Sequence, residues 1–267
     1  MQGDPVRWDP HQYSMYGDER SRPFVELLAR VPVSAPDDVV DLGCGPGPLT
    51  ATLSQRWPGA RVVGVDSSAD MVEAAAAYAV EGRLSFVHAD VAHWAPDDDV
   101  DVVIANAVLQ WVPGHLELLQ RFTSWLRPGG VLAFQVPDNF DEPSHQLLRE
   151  LRLSPRWRDR LGEGADRTAG VERPQTYLNV LADGGFVADV WQTTYLHVLA
   201  GDDAVLEWVK GTALRPVLST LSSEEEKSMF LDEYAAALRA AYPPAPWGTV
   251  FPFRRTFVVA TAVSSRP

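Results

Sequence analysis

The sequence predicts an α/β fold with a doubly wound, mainly parallel sheet, and three observations predict it. Short runs rich in β-branched residues, at 39–42, 61–65, 84–88, 100–105 and 131–136, are apolar at successive positions, as strands covered on both faces are. Helical stretches at 49–56, 69–79 and 116–126 fall between them, an alternation that builds right-handed βαβ units. The first strand also runs directly into a glycine cluster, at the carboxyl edge where open α/β sheets bind ligands.

Each element has its own signal. The first strand is Val39-Val40-Asp41-Leu42, and the helix after it stops at Pro58-Gly59. Ser67 or Ser68 is placed to cap the second helix, whose alanine run from Ala74 to Ala77 favours helix. Pro128-Gly129-Gly130 reads as the turn that opens the fifth strand. Beyond residue 136 the alternation loosens. An arginine-rich helix is expected at 144–160, a short one at 175–182 closed by Gly184-Gly185, and a long strand at 187–199. Helices follow at 202–210 and 222–241, the second opened by Ser222 with Glu224, Glu225 and Glu226 in its first turn. Pro243, Pro244 and Pro246 make a stiff connection to a last strand at 255–263.

Composition narrows the function. The chain has 267 residues, 46% hydrophobic and 22% charged, which is ordinary for a protein with a substantial core. Its formal charge of -13 repels phosphate backbones and anionic lipid, so nucleic-acid and membrane partners are not expected. The same acidity makes clustered arginines informative, because an anionic ligand must be held against the average field. A single cysteine, Cys44, excludes an internal disulfide and a cysteine-rich metal site. The first ten residues carry Asp4, Arg7 and Asp9 and no apolar run, so they are not read as a signal peptide. A cytoplasmic enzyme, monomeric and without a metal, is the expectation.

The sharpest motif is Asp41-Leu42-Gly43-Cys44-Gly45-Pro46-Gly47. Glycines there allow a tight turn and close approach of a ligand, with a helix beginning just beyond. The spacing is G-x-G-x-G, whereas dinucleotide sites use G-x-G-x-x-G. Asp41 at the mouth of the loop disfavours a pyrophosphate but suits the ammonium and sulfonium of S-adenosylmethionine. Asp66 ends the second strand, where an acid can accept from both ribose hydroxyls. Asp90 follows the third and is placed to accept from an adenine amine, and Asn106 ends the fourth at the carboxyl edge. Each acid alone reads equally well as a polar strand end or a cap; the succession of three behind a glycine loop is what points to a nucleoside. Cys44 is a small residue filling the loop. Ser67, Met71 and Val91 complete the expected cofactor contacts, with Trp111 as a wall over the adenine or the transfer pocket.

These ordered motifs resemble those of the class I methyltransferases. Stretches outside them are more specific and resemble the trans-aconitate methyltransferase family over nearly the whole chain. They include Trp8-Asp9-Pro10, Glu19-Arg20-Ser21-Arg22-Pro23, Leu109-Gln110-Trp111-Val112-Pro113, Gln135-Val136-Pro137-Asp138-Asn139 and Glu142-Pro143-Ser144-His145. Two departures stand out: a longer, more charged segment at 159–173, and Pro48 directly after the loop. The resemblance implies a Rossmann-like sheet whose last strand inserts antiparallel between the fifth and sixth. Strand and helix patterns run past the midpoint without a linker, so one domain over 1–267 is expected, with an N-terminal lid at 1–32, a cofactor half at 33–137 and helical lid insertions at 138–186 and 200–250. The implied reaction is methyl transfer to a carboxylate of trans-aconitate, giving a monomethyl ester and S-adenosylhomocysteine.

A carboxylate acceptor is already an anion near neutral pH, so no catalytic base is expected, only positioning. A tricarboxylate needs fixed cations, and the arginine fork matches carboxylates. Arg22 and Arg215 each precede a proline beside apolar residues, and with Arg255 they are the expected acceptor ligands; Arg20 and Arg254 read better as surface charges. Tyr13, Tyr16 and Tyr195 are the expected aromatic neighbours of the acceptor, while Trp208 and Tyr234 read first as core. His88 and His115 are read as structural or acceptor-facing. Competing readings are another small polycarboxylate or a malonyl thioester as acceptor, a non-enzymatic cofactor-binding module, and a nicotinamide oxidoreductase.

Overall fold

The computed structural model, which describes residues 17–162 and 170–263, builds a seven-stranded sheet in the order β3-β2-β1-β4-β5-β7-β6. The strands are β1 Asp38–Leu42, β2 Arg61–Asp66, β3 Leu84–His88, β4 Val100–Asn106, β5 Leu126–Pro137, β6 Phe186–Leu199 and β7 Thr249–Ala262. β1 lies parallel between β2 and β4, with Leu42 level with Val65 on one side and Ala105 on the other. The last strand does insert between the fifth and sixth, and it runs antiparallel to β5. The chain order therefore reverses at β1, which puts the crevice of a doubly wound sheet at the carboxyl ends of β1 and β4.

Helices follow as α1 Gly17–Ala29, α2 Pro48–Arg56, α3 Ala69–Ala75, α4 His115–Ser124, α5 Pro143–Leu153, α6 Pro174–Asp183, α7 Ala204–Lys210, α8 Leu214–Thr220 and α9 Glu224–Ala241. Among the described residues the chain divides into two compact units. The larger takes 17–137, 170–193 and 255–263, the smaller 138–162 and 194–254. None of these helices is long and apolar enough to cross a membrane.

In the larger unit, Val40, Leu42, Val103, Ala105, Phe134 and Val136 are buried in one core with Tyr177 and Leu181 of α6. Complete burial of strand residues on both faces is what hides any alternation in the sequence. His115 of α4 is buried and hydrogen-bonded through Nε2 to the Tyr177 hydroxyl at 2.9 Å, so it is structural. Burial lowers its pKa, against smaller opposing effects of Glu172 and the Val112 backbone.

In the smaller unit, Trp208 and Tyr234 are core, at 2% and 0% exposure. The Tyr234 hydroxyl donates to the Ser144 carbonyl at 2.7 Å, and the Ser144 N–H donates to the Tyr242 hydroxyl at 3.1 Å.

Several boundaries differ from expectation for identifiable reasons. Pro128-Gly129-Gly130 lies inside β5, absorbed where the register against β4 shifts between Val100 and Val102. α5 stops at Leu153, because Pro155 holds Ser154 extended at ψ 155°. α8 had no counterpart in the sequence reading; Pro216 sits in its first turn, where a missing N–H costs no helical bond. Ser223 caps α9, accepting from the Glu226 N–H at 3.1 Å, where Ser222 was expected. β7 starts at Thr249, and its first half alternates: Thr249, Phe251, Phe253 and Arg255 are buried while the residues between are not.

Candidate functional site

The glycine loop closes the crevice in the larger unit. Gly43, Gly45 and Gly47 take φ of 69°, 55° and 95°, values that side chains other than glycine's rarely adopt. Gly43 is also sterically required: a Cβ there would lie 2.1 Å from Val108 Cγ2. The N–H groups of Gly43 and Cys44 donate to the Val65 carbonyl at 2.7 and 3.1 Å, tying the loop to the end of β2. Gly47 precedes α2 as its cap, and Pro48 takes the first helical position, where its fixed φ is favourable. The proline departure is thus accommodated without cost to the loop.

Asp66 fastens the loop from below. Its Oδ2 accepts from the Gly45 N–H and its Oδ1 from the Ser68 N–H, both at 2.9 Å. Desolvation raises its pKa, and those two N–H groups work against the shift. Ser68, not Ser67, caps α3, accepting from the Met71 N–H at 3.4 Å; Met71 is buried beneath. The Ser67 carbonyl is hydrogen-bonded to His88 Nε2 at 3.0 Å, which accounts for that histidine.

Asp41 is the unusual acid. It is 2% exposed and accepts a 2.6 Å hydrogen bond from the Thr50 hydroxyl. Burial pushes its pKa up to about 7; the Thr50 bond opposes this and the nearby Asp66 charge adds to it. Neither Asp41 nor Asp66 has an ion-pair partner among the described residues. Burial likewise raises the Cys44 thiol, so the loop cysteine is a neutral, buried filler.

The other expected cofactor residues lie along the same edge. Asp90 accepts from the Ala92 N–H at 2.9 Å and pairs with His93 at 3.3 Å, on an exposed turn above buried Val91. Asn106 ends β4 with its Oδ1 accepting from Gln135 Nε2 at 2.7 Å. Trp111 ends a short 3-10 turn, Leu109–Trp111, and is partly exposed.

The expected acceptor ligands are spread over both units. Arg22 on α1 is exposed, and Arg255 on β7 is buried and donates from Nη1 to Gln135 Oε1 at 3.0 Å; both belong to the larger unit. Arg215, on α8, and Tyr195, stacked on His197 with ring centres 6.0 Å apart, belong to the smaller. Arg254 is partly exposed, and its buried Nε lies 3.5 Å from an Asp138 carboxylate oxygen. Tyr13, Tyr16 and the side chain of Arg20 lie outside the described residues.

Sequence reasoning missed three contributors. Thr50 lies nine residues past Asp41 in a helix that reads as ordinary. Ala107 holds φ 58° directly after Asn106, its N–H bonded to the Gln135 carbonyl and its carbonyl to Gln110 Nε2, and nothing in an alanine announces that strain. Gln135 did carry a signal: one polar residue inside the apolar run 131–136, now found 1% exposed.

Known proteins resemble this chain in sequence and in fold. A family model described as a methyltransferase domain matches residues 39–130. A trans-aconitate 2-methyltransferase of Streptomyces avermitilis is 52% identical over 259 residues, covering 95% of this chain and 96% of the relative. Those of Streptomyces coelicolor and Rhodococcus jostii are 51% and 49% identical, again over 95% of this chain and over 86% and 98% of their own. Among solved structures, YcgJ of Bacillus subtilis superposes with a TM-score of 0.58 at 13% identity, covering 91% of this chain and 98% of its own. The cyclase SpnF does so with 0.58 at 14%, covering 97% and 88%; likenesses this remote in sequence speak to the fold alone.

Proposed function

Because the chain belongs to the trans-aconitate 2-methyltransferase family, we propose that it methylates a carboxylate of trans-aconitate with S-adenosylmethionine, yielding a monomethyl ester and S-adenosylhomocysteine. The observation that carries the choice of cofactor is the state of Asp41. A buried carboxylate beside a second acid, with a hydroxyl as its hydrogen-bond donor, is a site that favours a cation. A pyrophosphate would add negative charge to the same place. When bound, S-adenosylmethionine supplies a methyl group on a sulfonium, a leaving group already in place.

The chain's own residues then have positional work. Gly43 and its neighbours allow backbone to approach the ligand, and Asp66, anchored by two N–H groups, retains lone pairs for ribose hydroxyls. Asp90, Ser67, Met71, Val91 and Trp111 are assigned to the adenosine end. Arg22 and Arg255 in the larger unit and, separately, Arg215 and Tyr195 in the smaller are the candidates for the acceptor's carboxylates, whose charge demands fixed donors, and each is judged by its own variant. No residue need take a proton, because the attacking oxygen is ionised near neutral pH; orientation alone is worth roughly 7–11 kcal/mol.

Incubating the protein with S-adenosylmethionine and trans-aconitate, with detection by mass, tests the reading. One added methyl per trans-aconitate, hydrolysed by mild base as an ester is, supports it. Methylation of other polycarboxylates but not trans-aconitate overturns the acceptor, and no methylation of any carboxylate overturns the reaction.

A further inference from the structure

Three side chains on one face of the sheet form a directional hydrogen-bond relay across β7, β5 and β4. Arg255 Nη1 donates to Gln135 Oε1 at 3.0 Å, and Gln135 Nε2 donates to Asn106 Oδ1 at 2.7 Å. Gln135 is level with Asn106 in the parallel pairing and with Phe257 in the antiparallel one, which leaves Arg255 as its diagonal neighbour. The Gln135 backbone joins in, its carbonyl accepting from the Ala107 N–H at 2.9 Å.

The chemistry of the first member dictates the orientation of the other two. A guanidinium has donors and no acceptor, so the group that Gln135 turns to Arg255 must be its oxygen. Its Nε2 must then face Asn106, and Asn106 must answer with Oδ1. Both amide orientations, otherwise ambiguous, follow from the charge at one end. The Asn106 donor group, Nδ2, is thereby turned away from Gln135, toward the carboxyl edge. Asn106 is partly exposed while Arg255 and Gln135 are buried at 6% and 1% exposure, so the relay begins in the core and ends at the crevice.

Resting on the methyltransferase reading above, we propose that Gln135 is a positioning residue that locks Asn106 with Nδ2 as a donor for a carboxylate oxygen of a bound ligand. That carboxylate belongs either to the acceptor or to the methionine end of the cofactor. A cationic ammonium or sulfonium does not fit at Nδ2, where it would face N–H hydrogens.

Gln135→Glu tests the orientation rather than the packing. A glutamate keeps, and strengthens, the bond to Arg255, but as a pure acceptor it turns Asn106 over, so that Oδ1 faces the crevice. Melting temperature, KM for trans-aconitate and calorimetric Kd for S-adenosylhomocysteine are measured on the wild type, Q135E and N106D. The relay predicts a weakening of about tenfold or more in one of the two constants, shared by both variants, with little loss of melting temperature. A rise in KM for trans-aconitate assigns Nδ2 to the acceptor; a rise in Kd for S-adenosylhomocysteine assigns it to the cofactor. Both constants within twofold of wild type in folded Q135E overturn the relay. Should Q135E not fold, N106D, which still accepts from Gln135 at a partly exposed site, decides by the same criteria. A wild type that fails to methylate trans-aconitate overturns the function instead, and Kd for S-adenosylhomocysteine then judges the relay alone.

Discussion

The Thr50 hydroxyl donates a 2.6 Å hydrogen bond to Asp41 Oδ2, and this bond opposes a burial that holds the acid's pKa near 7. The two residues sit on either side of the glycine loop, one at the end of β1 and one in the first turn of α2. The loop is therefore closed over a carboxylate whose pKa burial pushes up to about 7. A group of that kind ties ligand charge, pH and stability together.

Without ligand, Asp41 destabilises the fold when ionised. Its folded pKa of about 7 lies above its unfolded value of 3.8, so the neutral form is the one the fold prefers. Stability should be highest below the unfolded value and should fall as pH rises toward 7, by at most about 4 kcal/mol from this group. Asp41→Asn, which still accepts from Thr50, should remove that slope and raise the melting temperature at neutral pH. Thermal melts of both proteins across pH check it; parallel profiles would contradict it.

Gly43→Ala should weaken both the fold and cofactor binding, since the new methyl lies 2.1 Å from Val108 Cγ2 at a φ of 69°. A loss of about 2–4 kcal/mol is expected, combining overpacking with left-handed strain. Val108→Ala in the same chain should restore the steric part and leave about 1 kcal/mol of backbone strain. Denaturant titration of the two single variants and the double variant measures the coupling, and strict additivity would contradict it.

Arg215→Ala should raise KM for trans-aconitate about tenfold or more while leaving Kd for S-adenosylhomocysteine unchanged, as expected for a cation that meets the acceptor alone. Steady-state kinetics with calorimetry separates the two. Unchanged kinetics would remove Arg215 from the site.

Tyr177→Phe should cost about 1–3 kcal/mol, because it leaves His115 Nε2 and the Glu172 N–H without the hydroxyl that joins them. The effect should appear in melting temperature and not in KM for either substrate. A shift in KM would show that α6 reaches the site, contrary to its place in the core.

The parts of this molecule that were legible in the sequence are those set by local chemistry. β1 to β4 were readable because residues such as Val103 and Ile104 are buried on both faces, leaving no polar alternation. The turn of the glycine loop is readable because the G-x-G-x-G spacing marks positions that take positive φ. The bond of Gln135 is illegible for the opposite reason: its polarity inside an apolar run shows locally, but its partner Arg255 lies 120 residues away and no local pattern encodes a bond of that range. α8 was hidden by Pro216, which reads as a breaker although its first-turn position tolerates it. The Ser154-Pro155 stop of α5 was present in the sequence and was outweighed by the arginine-rich pattern running on to residue 160.

The direct test of the account is whether a cation displaces the proton of Asp41. Titrating S-adenosylmethionine calorimetrically at about pH 6, in two buffers of different ionisation enthalpy, counts protons released on binding. With Asp41 largely protonated beforehand and ionised against the ligand, wild type should release most of one proton. Asp41→Asn should bind more weakly and release none from this position. Equal affinity and equal proton release in the two proteins would contradict the placement of a positively charged methyl donor at Asp41.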